Sequence, residues 1–392
     1  MPIKVALLWH MHQPNYQEPQ SRRLVLPWVR LHALKDYLDM PLLAAEQENV
    51  RVTFNLVPAL LDQLQLYIEG GVDRHFELSR IPADQLSDDL RREILGTFFA
   101  GHAATLIEPY PRYAELFRKY RTNLGEAVLP ALFTSEELRD LQVWSNLSWV
   151  DPLFRDEEPV RTLLVRGRYF SEDQKQRLLD WQVEFMARIV PAYRRLHQEG
   201  RIDVSFTPYY HPILPLLCDT DAAKEAIPGI ALPAKRFRHP EDAEWQIVQS
   251  KEKYRELFGR EMVGMWPSEG SVSEEVAALC LKHGIEWIAT DEEILNASLR
   301  KGGQDRSANP PHTVYNYGPG LKMLFRDHSL SDRIGFVYSS WDADRAVSDL
   351  VAQIKDIGRQ TKGMGIDPVV PIILDRSEER RVGKECRSGW SP

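Results

Sequence analysis

Apolar residues gather in seven short runs along the chain, at residues 3–9, 51–56, 202–206, 262–266, 285–290, 322–326 and 369–374. Runs of this length, closed by turn residues, read as strands, and the almost unbroken hydrophobicity of residues 3–9 is that of a strand buried on both faces. Between the runs the period lengthens to the helical one: residues 31–47, with a break or kink at Pro41, then 59–69, 240–258, 273–283 and 342–357. From about residue 70 to 200 the pattern is mostly helical (84–100, 113–120, 135–141 and 171–199), with turn residues interrupting it at 101–111. That stretch is too long for one crossover helix and predicts a helical insertion after the second strand, carried on the loop face. Strands alternating with helices predict a parallel α/β arrangement of seven strands.

Every strand ends on polar or ionisable residues: His10 and His12, Asn55, Tyr210 and His211, Glu269, Asp291, Asp327 and His328, and Asp375. One strand-terminal His or Asp is more often structural than functional. Seven such ends in succession point to a carboxylate-rich site at the mouth of a barrel, where the loops after the strands form the open face. His10 and His12 are two apart, so on extended backbone both point to the same side. Glu269 sits in Gly264-Met265-Trp266-Pro267-Ser268-Glu269-Gly270, after a strand and before a segment whose Ser and Glu spacing opens a helix. Alone it would read as a loop carboxylate near a helix N-terminus; with the other strand ends it becomes a catalytic candidate.

Composition narrows the picture. A chain of 392 residues, 43% hydrophobic and 27% charged, suits a soluble globular protein with a sizeable core. A formal net charge of −8 argues against nucleic acid as a main partner. Ten Trp and fourteen Tyr supply faces on which sugar rings stack, although most aromatics belong to cores. Cys218, Cys280 and Cys386 lack metal-type spacing, and so few thiols fit a reducing compartment. The apolar run at the N-terminus is too short for a signal peptide, and none reaches the roughly 18–20 residues of a membrane helix. A cytoplasmic protein with no membrane partner is expected. Residues 376–392 have no periodicity and resemble the in-frame translation of a common sequencing adapter, so they are set aside as non-native and the barrel domain is expected to span residues 1–375.

Several motifs together resemble glycoside hydrolase family 57, which holds α-amylases, amylopullulanases, 4-α-glucanotransferases and branching enzymes. His10-Met11-His12-Gln13-Pro14 is similar to its first motif. Gly200-Arg201-Ile202-Asp203-Val204 with Tyr209-Tyr210-His211-Pro212 resembles the second, with Asp203 where the family often has Glu. Trp266-Pro267-Ser268-Glu269 resembles the third, and residues 325–336, from Phe325-Arg326-Asp327-His328 through Asp332, are like a segment of the amylopullulanase-like branch. The resemblance implies an incomplete (β/α)7 barrel acting on α-glucans (starch, maltooligosaccharide or pullulan type) without a cofactor or metal. It implies Glu269 as nucleophile and, by position at the start of the fourth motif, Asp375 as general acid/base, although the Gly-Glu-Asn that follows in the family is absent here. His10, His12, Gln13, Tyr210, His211, Asp327, His328 and Asp332 become candidates for holding sugar hydroxyls. Trp266 and Trp341 become candidate stacking platforms, with a core role equally open to Trp341. The family's C-terminal helical domain is expected to be missing, and with it most of the activity. Two rival readings remain: a metal-dependent polysaccharide deacetylase, with His10, His12 and a strand-end Asp on Zn²⁺, and a non-catalytic glucan-binding protein.

Overall fold

A computed structural model describes residues 3–122 and 129–375. They form two compact units, one of residues 3–14, 47–60 and 194–375, the other of residues 15–46 and 61–193.

The first unit is built on strands β1 (Lys4–Met11), β2 (Thr53–Leu56), β3 (Asp203–Phe206), β4 (Gly264–Met265), β5 (Trp287–Asp291), β6 (Tyr315–Tyr317), β7 (Leu321–Arg326) and β8 (Val369–Asp375). Their order in the sheet is β8-β1-β2-β3-β4-β5-β7-β6, parallel throughout except for β6, which pairs antiparallel with β7. The seven parallel strands are those the apolar runs predict. The sheet curls into an incomplete (β/α)7 barrel, in which β7 meets β8 without a ladder. Asp327 N donates to Pro371 O at 2.8 Å and Arg326 Nε to Ile373 O at 3.1 Å.

Both faces of the strands are covered, which is why their sequences are nearly all apolar. Leu8, Ala289, Ile373 and Trp266 fill the interior. Along β8 the alternate residues Val370, Ile372 and Leu374 pack outward against Leu350, Ile354 and Ile357 of helix Ala343–Gly363. Strand β4 is shorter than the predicted run 262–266, and its Gly264 is required: a Cβ there would lie 2.0 Å from the Trp287 ring. Strand β6 was not foreseen, although Gly318-Pro319-Gly320 marks its turn into β7.

The intervening helices follow the local signals. Helix α1 (Pro240–Phe258) opens with proline and stops at the left-handed Gly259. Helix α2 (Glu274–Lys282) is capped by Ser273, which accepts from Val276 N at 3.2 Å, and α3 (Glu292–Lys301) by Asp291, which accepts from Glu293 N at 3.0 Å.

The second unit is mainly helical. Two of its predicted helices are split, and for one physical reason. Residues 31–47 form Trp28–Lys35 and Asp39–Glu46, and residues 171–199 form Glu172–Met186 and Ile189–Gln198. Each second helix carries a proline in its first turn, Pro41 and Pro191, whose ring clashes with the carbonyl four residues back and so ends the preceding helix there. At the centre of this unit lies buried Arg30. It pairs with Asp73 at 2.9 Å and donates to Asn146 at 2.6 Å and Gln182 at 2.9 Å. Among the described residues no helix is long and apolar enough to cross a membrane.

Candidate active site

Parallel register sets the site. His10 of β1 is level with Asn55 of β2, Asn55 with Ser205 of β3, and Asp375 of β8 with His10 on its other side. Residues at one level of a parallel sheet face the same way. His10 Nδ1 accordingly lies 2.7 Å from Asn55 Oδ1, and Asn55 Nδ2 donates to Ser205 Oγ at 3.0 Å. With the amide assigned so, Nδ1 of His10 is the donor. The backbone of Asp375 closes this row. Its side chain lies outside the described residues, and so does its separation from Glu269.

His12 follows β1 and His211 follows β3. Ring centroids are 5.5 Å apart for His10 and His12, 4.9 Å for His10 and His211, and 4.1 Å for His12 and His211. One potential ligand nitrogen from each lies within 4.8 Å of the others, and no carboxylate joins them among the described residues. Burial first, and then the neighbouring His10 and His12, push the His211 pKa down to about 2. This imidazole is therefore neutral at ordinary pH and can both donate and accept. Among the described residues, which leave out the Asp375 side chain, the buried atoms His10 Nε2, His211 Nε2, Thr207 Oγ1 and Ser268 Oγ at the ends of β1, β3 and β4 meet no hydrogen-bond partner. Each such atom costs roughly 1–3 kcal/mol, which a hydroxyl-rich ligand would offset.

Glu269 follows β4 in a tight turn, closed by Gly270 N donating to Pro267 O at 2.8 Å and Ser271 N to Ser268 O at 3.0 Å. Its backbone is left-handed, with φ 55° and ψ 20°. Three non-glycine residues among those described have positive φ, and two are Glu269 and His211 (φ 59°), at the ends of adjacent strands. Such a conformation costs about 1–3 kcal/mol and is found where the surroundings impose it, often at functional sites. The Glu269 side chain is exposed, as a group meeting substrate must be.

The remaining predicted residues divide. Gln13 is buried beside the histidine motif, and Tyr210 is half exposed. Trp266, expected to be a stacking platform, is 5% exposed and packs in the barrel core, so its ring has no open face to offer. Trp341 is partly buried beneath the Arg345 guanidinium, 4.1 Å from its ring. Asp327, expected to meet sugar hydroxyls, has both oxygens occupied within the fold: His312 Nε2 lies 2.8 Å from Oδ2, and Leu330 N donates to Oδ1 at 2.8 Å. Burial raises its pKa, but these two hydrogen bonds and the nearby positive charge prevail and hold the carboxyl below its usual range. His328 Nε2 lies 2.9 Å from Asp332 Oδ2, and Arg326 donates to Asp332 at 2.6 Å and to Asp291 at 3.3 Å. His328 and Asp332 line an open cavity of about 650 Å³ with Glu292, Glu293, Asn296 and Arg333, and none of the three clustered histidines borders it. Sequence reasoning passed over Ser205, Thr207, Ser268 and Arg326. All lie at or just beyond strand ends, but only the register aligns them.

Comparison with known proteins gives a consistent picture. The model described as glycosyl hydrolase family 57 matches residues 6–376. No curated protein matches the chain in sequence. Among solved structures, the GH57-type branching enzyme from Pyrococcus horikoshii is similar at 15% identity and a TM-score of 0.51, over 96% of this chain and 63% of that one. A GH57 branching enzyme from Thermococcus kodakaraensis, in complex with glucose and additives, is similar at 11% identity and a TM-score of 0.50, over 96% of this chain and 64% of that one. The α-amylase AmyC from Thermotoga maritima aligns at 14% identity and a TM-score of 0.49, over 96% of this chain and 67% of that one. The chain thus spans less than two thirds of the length of either branching enzyme.

Proposed function

The chain belongs to glycosyl hydrolase family 57, and from that premise we propose that it is a retaining enzyme of α-glucans, hydrolysing or transferring glucosyl units by double displacement. What carries the reading is Glu269, held in a left-handed turn after β4, on the same rim as a cluster of three imidazoles. In the first step the Glu269 carboxylate attacks C1 of a glucosyl residue while the Asp375 carboxyl protonates the departing glycosidic oxygen. The C1–O bond breaks and a glycosyl ester forms on Glu269. In the second, the Asp375 carboxylate takes a proton from water or from a glucan hydroxyl, whose oxygen attacks C1 and releases Glu269. This chemistry calls for carboxyl groups about 5–5.5 Å apart. The imidazoles of His10, His12 and His211 hold the hydroxyls of the reacting sugar, and water or glucan as acceptor decides between hydrolysis and transfer.

Sizing the products from maltooligosaccharides, starch and pullulan, with native sequence in place of residues 376–392, tests the reading: shorter chains mean hydrolysis, longer ones transfer, and unchanged glucans contradict both. Glu269→Gln should lower any such turnover by at least about a thousandfold while the fold persists, as followed by circular dichroism. A second reading, a metal-dependent deacetylase, draws on the nearness of the three imidazole nitrogens. It expects a chelator to abolish activity, whereas a carboxylate pair is indifferent to chelation.

A further inference from the structure

Beside the histidine cluster, the structure exposes two large aromatic rings. Tyr210 and Trp245 are 49% and 47% exposed. Their planes differ by 7° and their centroids are 6.2 Å apart, so the two rings lie parallel. Large aromatic surface left in water is unfavourable, and exposed side chains ordinarily scatter their orientations. Here the orientation is fixed from beneath. Tyr210 N donates to the Gln246 side chain at 2.8 Å and Tyr209 N to the Gln246 carbonyl at 3.4 Å. Four residues further along α1, Ser250 Oγ donates to Thr207 O at 2.8 Å. The helix bearing Trp245 is thus tied three times to the segment that runs from β3 into His211. Tyr209 completes the group, 5.0 Å from Tyr210 and 5.9 Å from Trp245.

We propose that Tyr210 and Trp245 form a glucan-stacking platform, on which glucosyl residues adjoining the one held by His10, His12 and His211 lie with their C–H faces against the two rings. The inference rests on the α-glucan reading and extends it to a residue that the motifs leave out. Three observations favour sugar as the occupant. Pyranose rings present flat faces of polarised C–H groups, which suit the negative face of an aromatic ring. The platform is continuous in sequence with the cluster, Tyr210 being bonded to His211. It is also preorganised by its tethers, so that little ordering remains to oppose binding. Trp245 does not touch the reacting atoms; its effect falls on affinity and on preference for longer chains.

Calorimetric titration of the folded chain with maltoheptaose, maltotriose and cellohexaose tests this. Trp245→Ala is expected to weaken maltoheptaose binding about tenfold, and maltotriose binding less, while Trp245→Phe stays within about threefold of wild type. Thermal unfolding should show the Trp245→Ala protein as cooperatively folded as wild type, since the ring is not part of the core. Maltoheptaose binding that Trp245→Ala leaves unchanged would overturn the platform and leave the α-glucan reading standing. Cellohexaose bound as tightly as maltoheptaose, with the same sensitivity to Trp245→Ala, would overturn the assignment to α-glucans. Wild type that binds no maltooligosaccharide at all would remove the α-glucan reading itself.

Discussion

The two sides of the barrel rim handle their polar groups in opposite ways. At the ends of β1 to β4 stand imidazoles and hydroxyls, several with buried atoms that meet no partner among the described residues, and two residues in strained left-handed backbone. At the ends of β5 and β7, Asp291, Arg326, His328 and Asp332 answer one another in a charged network, and Asp327 is consumed by His312 and a helix cap. Both sides carry several ionisable residues, so their presence alone does not distinguish a site from a scaffold. Unmet hydrogen-bonding capacity and backbone strain do, because each costs stability that only a ligand or a reaction makes worthwhile.

The contrast can be broken by mutation. His211→Ala is expected to lower kcat/KM by about a hundredfold if, as proposed, this neutral imidazole holds the reacting sugar. A change below about threefold, measured on any glucan the wild type turns over, would place the sugar elsewhere.

Acid sharpens it next. His211 has a folded pKa depressed to about 2, and His75 of the second unit, for burial first and then the nearby Arg30 charge, to about 3. Below about pH 6.5 the unfolded chain binds protons that these folded imidazoles refuse, so stability falls as the pH falls. Each contributes a slope of up to about 1.4 kcal/mol per pH unit. Denaturant unfolding of wild type and His211→Asn between about pH 6.5 and 4.5 checks this, with a shallower decline expected for the variant; parallel declines would mean that His211 titrates normally.

Glu269→Gly separates strain from chemistry. Glycine accepts the left-handed backbone at little cost, so the variant should gain about 1 kcal/mol in stability while losing turnover. A loss of stability would show that Glu269 is held by favourable contacts instead. The smallest effect belongs to the charged side: Asp332→Asn should change kcat/KM by less than about threefold and stability by at most about 1 kcal/mol, as partly exposed ion pairs do. A hundredfold loss of activity there would erase the distinction between the two sides.

Much of this was readable from sequence. The seven apolar runs correspond to the seven parallel strands, because strands covered on both faces leave an unbroken apolar signature. The helices expected at 240–258 and 273–283 also formed within a residue of those bounds. What escaped was whatever depends on partners distant in sequence. The break at Pro41 was foreseen as a break or kink, while the one before Pro191, inside the predicted helix 171–199, was not. Trp266 read as a platform because a motif cannot report burial, and Asp327 as a sugar ligand because His312 is brought to it by the fold. Trp245 lies on an ordinary amphipathic helix, and nothing local marks it as exposed and parallel to Tyr210.

The most direct measurement is to trap the intermediate. A 5-fluoro glucosyl donor with a good leaving group slows release of a glycosyl ester, which peptide mass spectrometry then locates. The account expects one added glycosyl residue on the peptide containing Glu269, and none on that of Glu269→Gln. Glucan turnover without any adduct, or with the adduct on another carboxylate, would contradict it.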